Sequence, residues 1–398
     1  VTRRIAMRTV YLVSGARTAV GDFGGALKDT PPADLAALVA TEALRRSGAP
    51  ADAVGTAVFG QVVHTEPSDP YLARIAAVRA GIPVETPAMA VNRLCGSGLQ
   101  AILTAAQSIL LGDAEIALAG GAESMSRMPF IAPAMRFGAR LGNSTMQDMV
   151  LGALTDPFKT IHMGITAENV AARYDISRAE QDDVAFESHR RASSAIREGR
   201  FAAQILPVEV KKGRKIAMFA EDEHVRHDAT REDFDGLRTA FQKDGTVTAG
   251  NASGLNDGAA AVILASEEAV RTHGLTPMAR LASWGNAGVD PDFMGIGPVP
   301  ATRLALSRAG LSVADLAVIE SNEAFAAQAC AVTRLLELDP ARVNPNGSGI
   351  SIGHPIGATG AINTIKLAYE LNRTGGRYGL VTMCIGGGQG IAAVFERV

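Results

Sequence analysis

Ala43-Leu44-Arg45-Arg46-Ser47-Gly48 and Ala305-Leu306-Ser307-Arg308-Ala309-Gly310 are near copies, set about 262 residues apart. Each precedes the same succession of signals. The first passes through Asp52 into the apolar run Val54–Phe59, the second through Asp315 into Ala317–Glu320. Upstream of the first copy, Ala33–Ser47 carries helical spacing, with Asp34 near its start and Gly48 just past its end as a stop signal. Before it, Val10–Ser14 reads as a strand and Gly15–Gly25 as a glycine-rich loop; after it, Val54–Gly60 reads as a buried strand. Strand, helix, strand implies a parallel sheet, and its repetition implies a duplicated α/β fold.

A second pair of segments extends the duplication. Cys95-Gly96-Ser97-Gly98 leads into an apolar helix, Leu99–Leu111, and then a strand, Ile116–Ala119, ending in Gly120-Gly121. Near the C-terminus Gly357-Ala358-Thr359-Gly360 leads into helix Ala361–Leu371 and strand Gly379–Met383, ending in Cys384 and a glycine run. Two such sheets sharing central helices make a layered α/β/α/β/α body. Between the copies lies an unrelated stretch of about Ser124–Gly254. It holds the Met- and Pro-rich Met125–Pro133 and a helix of mixed charge, Arg178–Arg197. An insertion of that length reads as a cap or an oligomer contact rather than idle loop.

Composition narrows the class. The 398 residues are 47% hydrophobic and 20% charged, which excludes disorder. A formal charge of −3 gives no global attraction to nucleic acid or anionic membrane. No stretch reaches the roughly 20 uninterrupted apolar residues of a membrane helix. The three cysteines, Cys95, Cys330 and Cys384, form no CxxC pair or disulfide framework, which fits a reducing, cytoplasmic setting. Val1–Val13 has three arginines and no secretory pattern; the residues ahead of Met7 read as an extension or a misplaced start.

Cys95 sits where a helix begins, so unpaired N–H groups and the helix dipole favour its thiolate, and small neighbours leave room for substrate. Its competing reading is a buried structural cysteine. His354, in Gly353-His354-Pro355, precedes the matching helix of the second copy; if a pseudo-twofold relates the halves, both helix starts face one cleft, and this histidine can take and return the thiol proton. Cys384 ends a strand, and the Gly386-Gly387-Gly388 run after it presents bare N–H groups able to hold an oxyanion. The register of that run fits no nucleotide-phosphate loop. Asn322, after the second-copy strand, is placed to hold a water or a carbonyl, although a strand-end asparagine is more often a turn residue. Cys330 reads as core. There is no HExxH, and His224 and His227 lie in a charged loop without metal-ligand spacing.

Leu94-Cys95-Gly96-Ser97-Gly98, Asn322-Glu323-Ala324-Phe325, Gly353-His354-Pro355 and Cys384-Ile385-Gly386-Gly387-Gly388 resemble four motif blocks of the thiolases. Gly250-Asn251-Ala252-Ser253-Gly254-Leu255-Asn256-Asp257-Gly258 is a fifth, and the resemblance runs in order from about Thr9 to the C-terminus. It implies a duplicated βαβαβαββ fold in five layers with an inserted loop domain. The N-terminal half would be residues 1–123 and 255–275, the loop domain 124–254 and the C-terminal half 276–398.

The resemblance further implies ping-pong acyl transfer. Cys95 would attack an acyl-CoA with His354 as base; Cys384 would then remove a methyl proton from acetyl-CoA, and the carbanion would take the acyl group to give a 3-ketoacyl-CoA. Oxyanions would be held by His354 with a water on Asn322, and by the N–H groups of Cys95 and Gly386. Ser253 would touch pantetheine and Arg226 the nucleotide. Leu154, His162, Met163, Phe241 and Ala249 would lie along the CoA path, with Met294, Ala324 and Phe325 at the acyl end. Coenzyme A would come only as part of substrate and product, with no bound cofactor or metal. A homotetramer, a dimer of dimers, is the implied assembly, with Met128–Gly142 as the contact, and neither nucleic acid nor membrane is a partner.

Cys-Gly-Ser-Gly resembles the short-chain, biosynthetic type. The whole chain is similar to bacterial β-ketothiolases of polyhydroxyalkanoate synthesis, with which it shares His224-Val225-Arg226-His227-Asp228-Ala229-Thr230 and Val299-Pro300-Ala301-Thr302. Lys215-Ile216-Ala217-Met218-Phe219 departs from the usual Gly-Asp-containing form. A cysteine hydrolase would leave Cys384 without a role, and a non-catalytic lipid binder would lack one of Cys95, His354 and Cys384.

Overall fold

The structure, a computed structural model, describes residues 8–398, so the segment ahead of Met7 lies outside the described residues. Nine strands form one hydrogen-bonded series: Leu316–Ser321, Tyr378–Ile385, Gln389–Arg397, Ala279–Gly288, Val10–Arg17, Asn256–Ser266, Ile116–Ser124, Val54–Gly60 and Ala88–Val91. The short Gly21–Asp22 adds to Asn256–Ser266. The two halves of the series meet at a narrow seam, Tyr11 opposite Arg280 and Leu12 opposite Ala279. The two expected sheets are thus continuous at one corner.

Helices Ser97–Leu111 and Thr359–Thr374 pack against each other and against strands of both halves. They form the middle layer. Pro32–Ser47 covers the outer face of the first half and Pro298–Ala309 that of the second, which completes five layers. The central helices touch backbone to backbone at their first turns. A Cβ on Gly98 would stand 2.9 Å from the Ala361 nitrogen, and one on Gly360 2.3 Å from the Leu99 nitrogen. Only glycine permits that approach, and it brings the two helix starts to one place. Leu94–Leu111, apolar enough over 18 residues to match a membrane span by composition, includes this central helix.

Several elements differ in extent from the sequence reading. Strand Val10–Arg17 runs through Gly15 instead of ending at Ser14, because Gly15, Ala16 and Arg17 pair with Val262, Ala261 and Ala260. Ile116–Ser124 likewise continues through Gly120-Gly121 along the same neighbour. Helix Arg178–Arg197 has the expected bounds, fixed by a capping box between Ser177 and Glu180. The divergent Lys215–Phe219 is one arm of a hairpin with Val208–Lys212. Cys330, read as core, is half-buried and packs against the core cluster of Ala327 and Ala331.

The inserted stretch is tied to the body by a fully buried bidentate pair. Arg17 Nη1 and Nη2 lie 2.7 and 2.9 Å from the two Asp222 carboxylate oxygens. Removing one partner would strand a buried charge at a cost of about 3–5 kcal/mol.

Candidate active site

The turn into helix Ser97–Leu111 carries Cys95. Leu94, immediately before it, has φ +46°, a left-handed conformation that costs a branched residue energy and needs support. Asn92 supplies it: its Oδ1 accepts the Leu94 N–H at 2.9 Å. The Ser97 hydroxyl donates to the Leu94 carbonyl at 2.7 Å and accepts the Arg93 N–H at 2.8 Å. The backbone N–H groups of Gly386 and of Cys95 itself point at the Cys95 sulfur.

That sulfur differs from the sequence expectation. Burial pushes the Cys95 thiol up to about 11, outweighing the two N–H donors that pull it down, and the Glu123 carboxylate raises it further. A helix start alone therefore does not make the thiolate here; a base is required.

His354 provides one. Its ring is buried, and burial lowers its pKa to about 4, so it is neutral at physiological pH. Its backbone N–H donates to Asn256 Oδ1 at 2.8 Å, which fixes the loop. Nδ1 lies 2.7 Å from the Thr359 hydroxyl, and Nε2 lies 3.4 Å from Asn322 Nδ2. Asn322 is anchored by its N–H to the Thr382 carbonyl at 3.0 Å. Its buried Oδ1 has no partner among the described residues.

Cys384 is the penultimate residue of Tyr378–Ile385, with its side chain fully buried. Burial, and then the neighbouring Cys95, push its thiol well above the ordinary range.

These groups converge. Cys95, His354, Cys384 and Gly386 open onto one cavity of about 370 Å³. Its walls include Leu154, His162, Met163, Phe241, Ala249 and Ser253, and also Met294, Ala324 and Phe325. His162 caps the helix Met163–Arg173, its Nδ1 accepting the Gly164 N–H at 3.0 Å. Its ring stacks on Phe241 at 4.7 Å, and Phe241 meets Phe325 edge-on at 6.1 Å. The Ser253 N–H donates to the Ala324 carbonyl at 3.0 Å, so two of the motif blocks are stitched together.

Two expected residues stand apart. Asn322 lies beside His354 Nε2 but is not among the residues lining the cavity. Arg226 is exposed outside the lining, and its guanidinium has no ion pair among the described residues. A larger cavity of about 600 Å³, beside Cys330 and Arg334, holds none of Cys95, His354 or Cys384.

Sequence reasoning missed the supports. Asn256 and Thr359 lie inside quoted motifs but had been given no part, and both hold His354. Glu123 ends a run of small and apolar residues, itself a sign of a purposeful buried acid. Met125, Val150, Leu151 and Ile356 also line the cavity; nothing in their sequence context separates them from ordinary core.

Comparison with known proteins follows the same lines. Residues 10–268 match the family model described as "Thiolase, N-terminal domain" and residues 275–397 that described as "Thiolase, C-terminal domain". A protein named beta-ketothiolase BktB, from Cupriavidus necator, is 66% identical over 98% of this chain and 100% of its own length. A crystal structure of the Bacillus anthracis acetyl-CoA acetyltransferase superposes with TM-score 0.96 at 46% identity, over 99% of this chain and 100% of that one. Human mitochondrial 3-ketoacyl-CoA thiolase in complex with CoA gives TM-score 0.96 at 45% identity, over 98% of both chains.

Proposed function

The chain belongs to the thiolase family, and from that premise we propose how its cavity joins two acyl-CoA molecules. It is an acyltransferase, a β-ketothiolase that condenses acetyl-CoA with a second short acyl-CoA and runs the reverse thiolysis. One observation carries the assignment of roles: two thiols and a neutral imidazole open onto a single apolar cavity.

In the first half-reaction His354 Nε2 takes the Cys95 proton as the sulfur attacks the thioester carbonyl. The tetrahedral oxyanion collapses, the acyl group stays on Cys95, and CoA leaves with the proton returned by His354. The high intrinsic value of the thiol ties proton removal to carbon–sulfur bond formation, because a free thiolate is costly there. In the second half-reaction acetyl-CoA binds, His354 takes the Cys384 proton, and the resulting Cys384 thiolate removes a proton from the methyl carbon. The carbanion attacks the acyl carbonyl, the carbon–carbon bond forms, and Cys95 departs as a thiolate that recovers its proton from His354. The N–H groups of Gly386 and Cys95 serve the oxyanion on the acyl group; the Nε2–H of His354, protonated in this half-reaction, and a water on Asn322 serve the enolate. CoA is carried in and out by substrate and product, and the chemistry calls for no further cofactor.

Met294, Ala324 and Phe325 form the acyl end, a short-chain site in our reading, suited to 3-ketoacyl-CoA formation for polyhydroxyalkanoate or fatty acid metabolism. Ser253 and the stacked His162 and Phe241 take pantetheine, and Arg226 takes the nucleotide end. The test is the thiolysis rate against 3-ketoacyl-CoA chain length. A short-chain site gives kcat/KM falling beyond five or six carbons, and a flat profile to long chains rejects it.

We assign the assembly to a tetramer on a surface feature. Phe137 and Leu141 are each 96% exposed within Met128–Gly142. A second copy covering them would remove that apolar area from water. Phe137→Ser with Leu141→Ser should shift the sedimentation coefficient to that of a dimer. We place the protein in the cytoplasm, where its three free cysteines would stay reduced.

A further inference from the structure

Glu123 has no part in the chemistry above, yet it meets the His354 segment directly and reaches the Cys95 turn through one relay. Its side chain is fully buried. Oε2 accepts the Val62 N–H at 2.9 Å and Oε1 the Val63 N–H at 3.2 Å. The Gly357 N–H, three residues past His354, faces the same carboxylate and favours its charged form. From Val62 the connection continues. Its carbonyl accepts Asn92 Nδ2 at 2.9 Å, and Asn92 Oδ1 accepts the N–H of Leu94 at 2.9 Å. Leu94 is the left-handed residue that aims Cys95.

We propose that Glu123 is a positioning residue for the condensation: one buried carboxylate bridges the turn of the Cys95 half to the His354 segment of the other half and sets the charge beside the nucleophile. The proposal rests on the thiolase reading of Cys95 and His354. Duplicated halves need such a bridge, since the nucleophile and its base come from different copies and a misplacement of about 1 Å costs a large factor in rate. The N–H groups of Val62 and Val63 bind the carboxylate and that of Gly357 faces it, an arrangement that ties both segments to strand Ile116–Ser124. Charge is the second effect. The groups facing Glu123 are Asp69, from the turn Asp69–Tyr71, and Cys95. Burial pushes the Glu123 carboxyl up to about 8, the N–H donors oppose this, and Asp69 adds to it. At the alkaline pH where the Cys95 thiol ionises, Glu123 is ionised too, and its charge disfavours the Cys95 thiolate.

Three variants separate position from charge: Glu123→Gln, Glu123→Asp and Asn92→Ala. The first removes the charge and turns an acceptor into a donor facing an N–H. The second keeps the charge but shortens the reach. The third, at an exposed residue, breaks the relay to Leu94 alone. The readouts are kcat, the KM for acetyl-CoA, and the pH midpoint of Cys95 alkylation by iodoacetamide, followed on the Cys95 peptide by mass spectrometry. All three variants should lose about tenfold or more in kcat with KM within about threefold. Only Glu123→Gln should move the alkylation midpoint, downward by about half a pH unit or more. Wild-type kcat in Glu123→Asp or Asn92→Ala overturns the positioning role, and an unmoved midpoint in Glu123→Gln overturns the charge effect. If Glu123→Gln does not fold, Asn92→Ala decides by kcat alone. Failure of wild-type protein to acetylate Cys95 would instead reject the thiolase roles, while the alkylation midpoints would still report on Glu123.

Discussion

His354 Nδ1 lies 2.7 Å from the Thr359 hydroxyl, and that hydroxyl donates to the Pro355 carbonyl at 2.9 Å. The single hydroxyl proton is committed to Pro355, so the bond to the ring is donated by Nδ1–H. The lone pair is then on Nε2, the atom beside Asn322. A threonine at the first position of helix Thr359–Thr374 thus selects the tautomer that can act as a base.

Removing that hydroxyl should release the ring. Thr359→Val is expected to lower kcat/KM for thiolysis about tenfold, about 1.4 kcal/mol, the scale of one buried hydrogen bond. Thr359→Ser should recover most of it. Steady-state assay of both checks the point, and full activity in Thr359→Val would remove the role from the hydroxyl.

The pH dependence follows from burial of the same ring. With its pKa lowered to about 4, His354 is the neutral base at every pH above that value. The acid limb of kcat/KM should therefore show no inflection near the ordinary histidine value of 6.5. The sign for stability is the same. The unfolded chain binds a proton on His354 near pH 6.5 and the folded chain only near 4, so this contribution is present above 6.5 and lost as pH falls through 4. His354→Gln should flatten the decline of Tm between those values, measured by calorimetry.

Arg226 is an exposed cation without an ion-pair partner among the described residues, outside the cavity lining. If it meets CoA phosphate it supplies binding shared by ground and transition states. Arg226→Ala should raise the KM for acetyl-CoA about fivefold, for a screened contact worth about 1 kcal/mol, and leave kcat alone. The effect should shrink at high salt. A fall in kcat with unchanged KM would contradict this placement.

The repeat Ala43–Gly48 and Ala305–Gly310 made the duplication legible, because helix stops and strand starts are local signals. Cys95, His354 and Cys384 were legible for the same reason: each borders a glycine-rich turn at an element end. What escaped was set by contacts distant in sequence. Gly15 is strand because Asn256–Ser266 lies beside it. The Cys95 thiol is raised because the second half buries it, which no reading of a helix start contains. Asn256, Thr359 and Glu123 act through bonds to backbone atoms of other segments, and backbone partners leave no mark on a sequence.

The central claim is the division of labour between two thiols, and Cys384→Ala tests it most directly. The variant should be incubated with radiolabelled acetyl-CoA, the label located by peptide mass spectrometry, and condensation followed in parallel. The account requires Cys95 to become acetylated to wild-type stoichiometry while condensation and thiolysis fall by about a thousandfold or more. Full turnover by Cys384→Ala, or label on any residue other than Cys95, would contradict it.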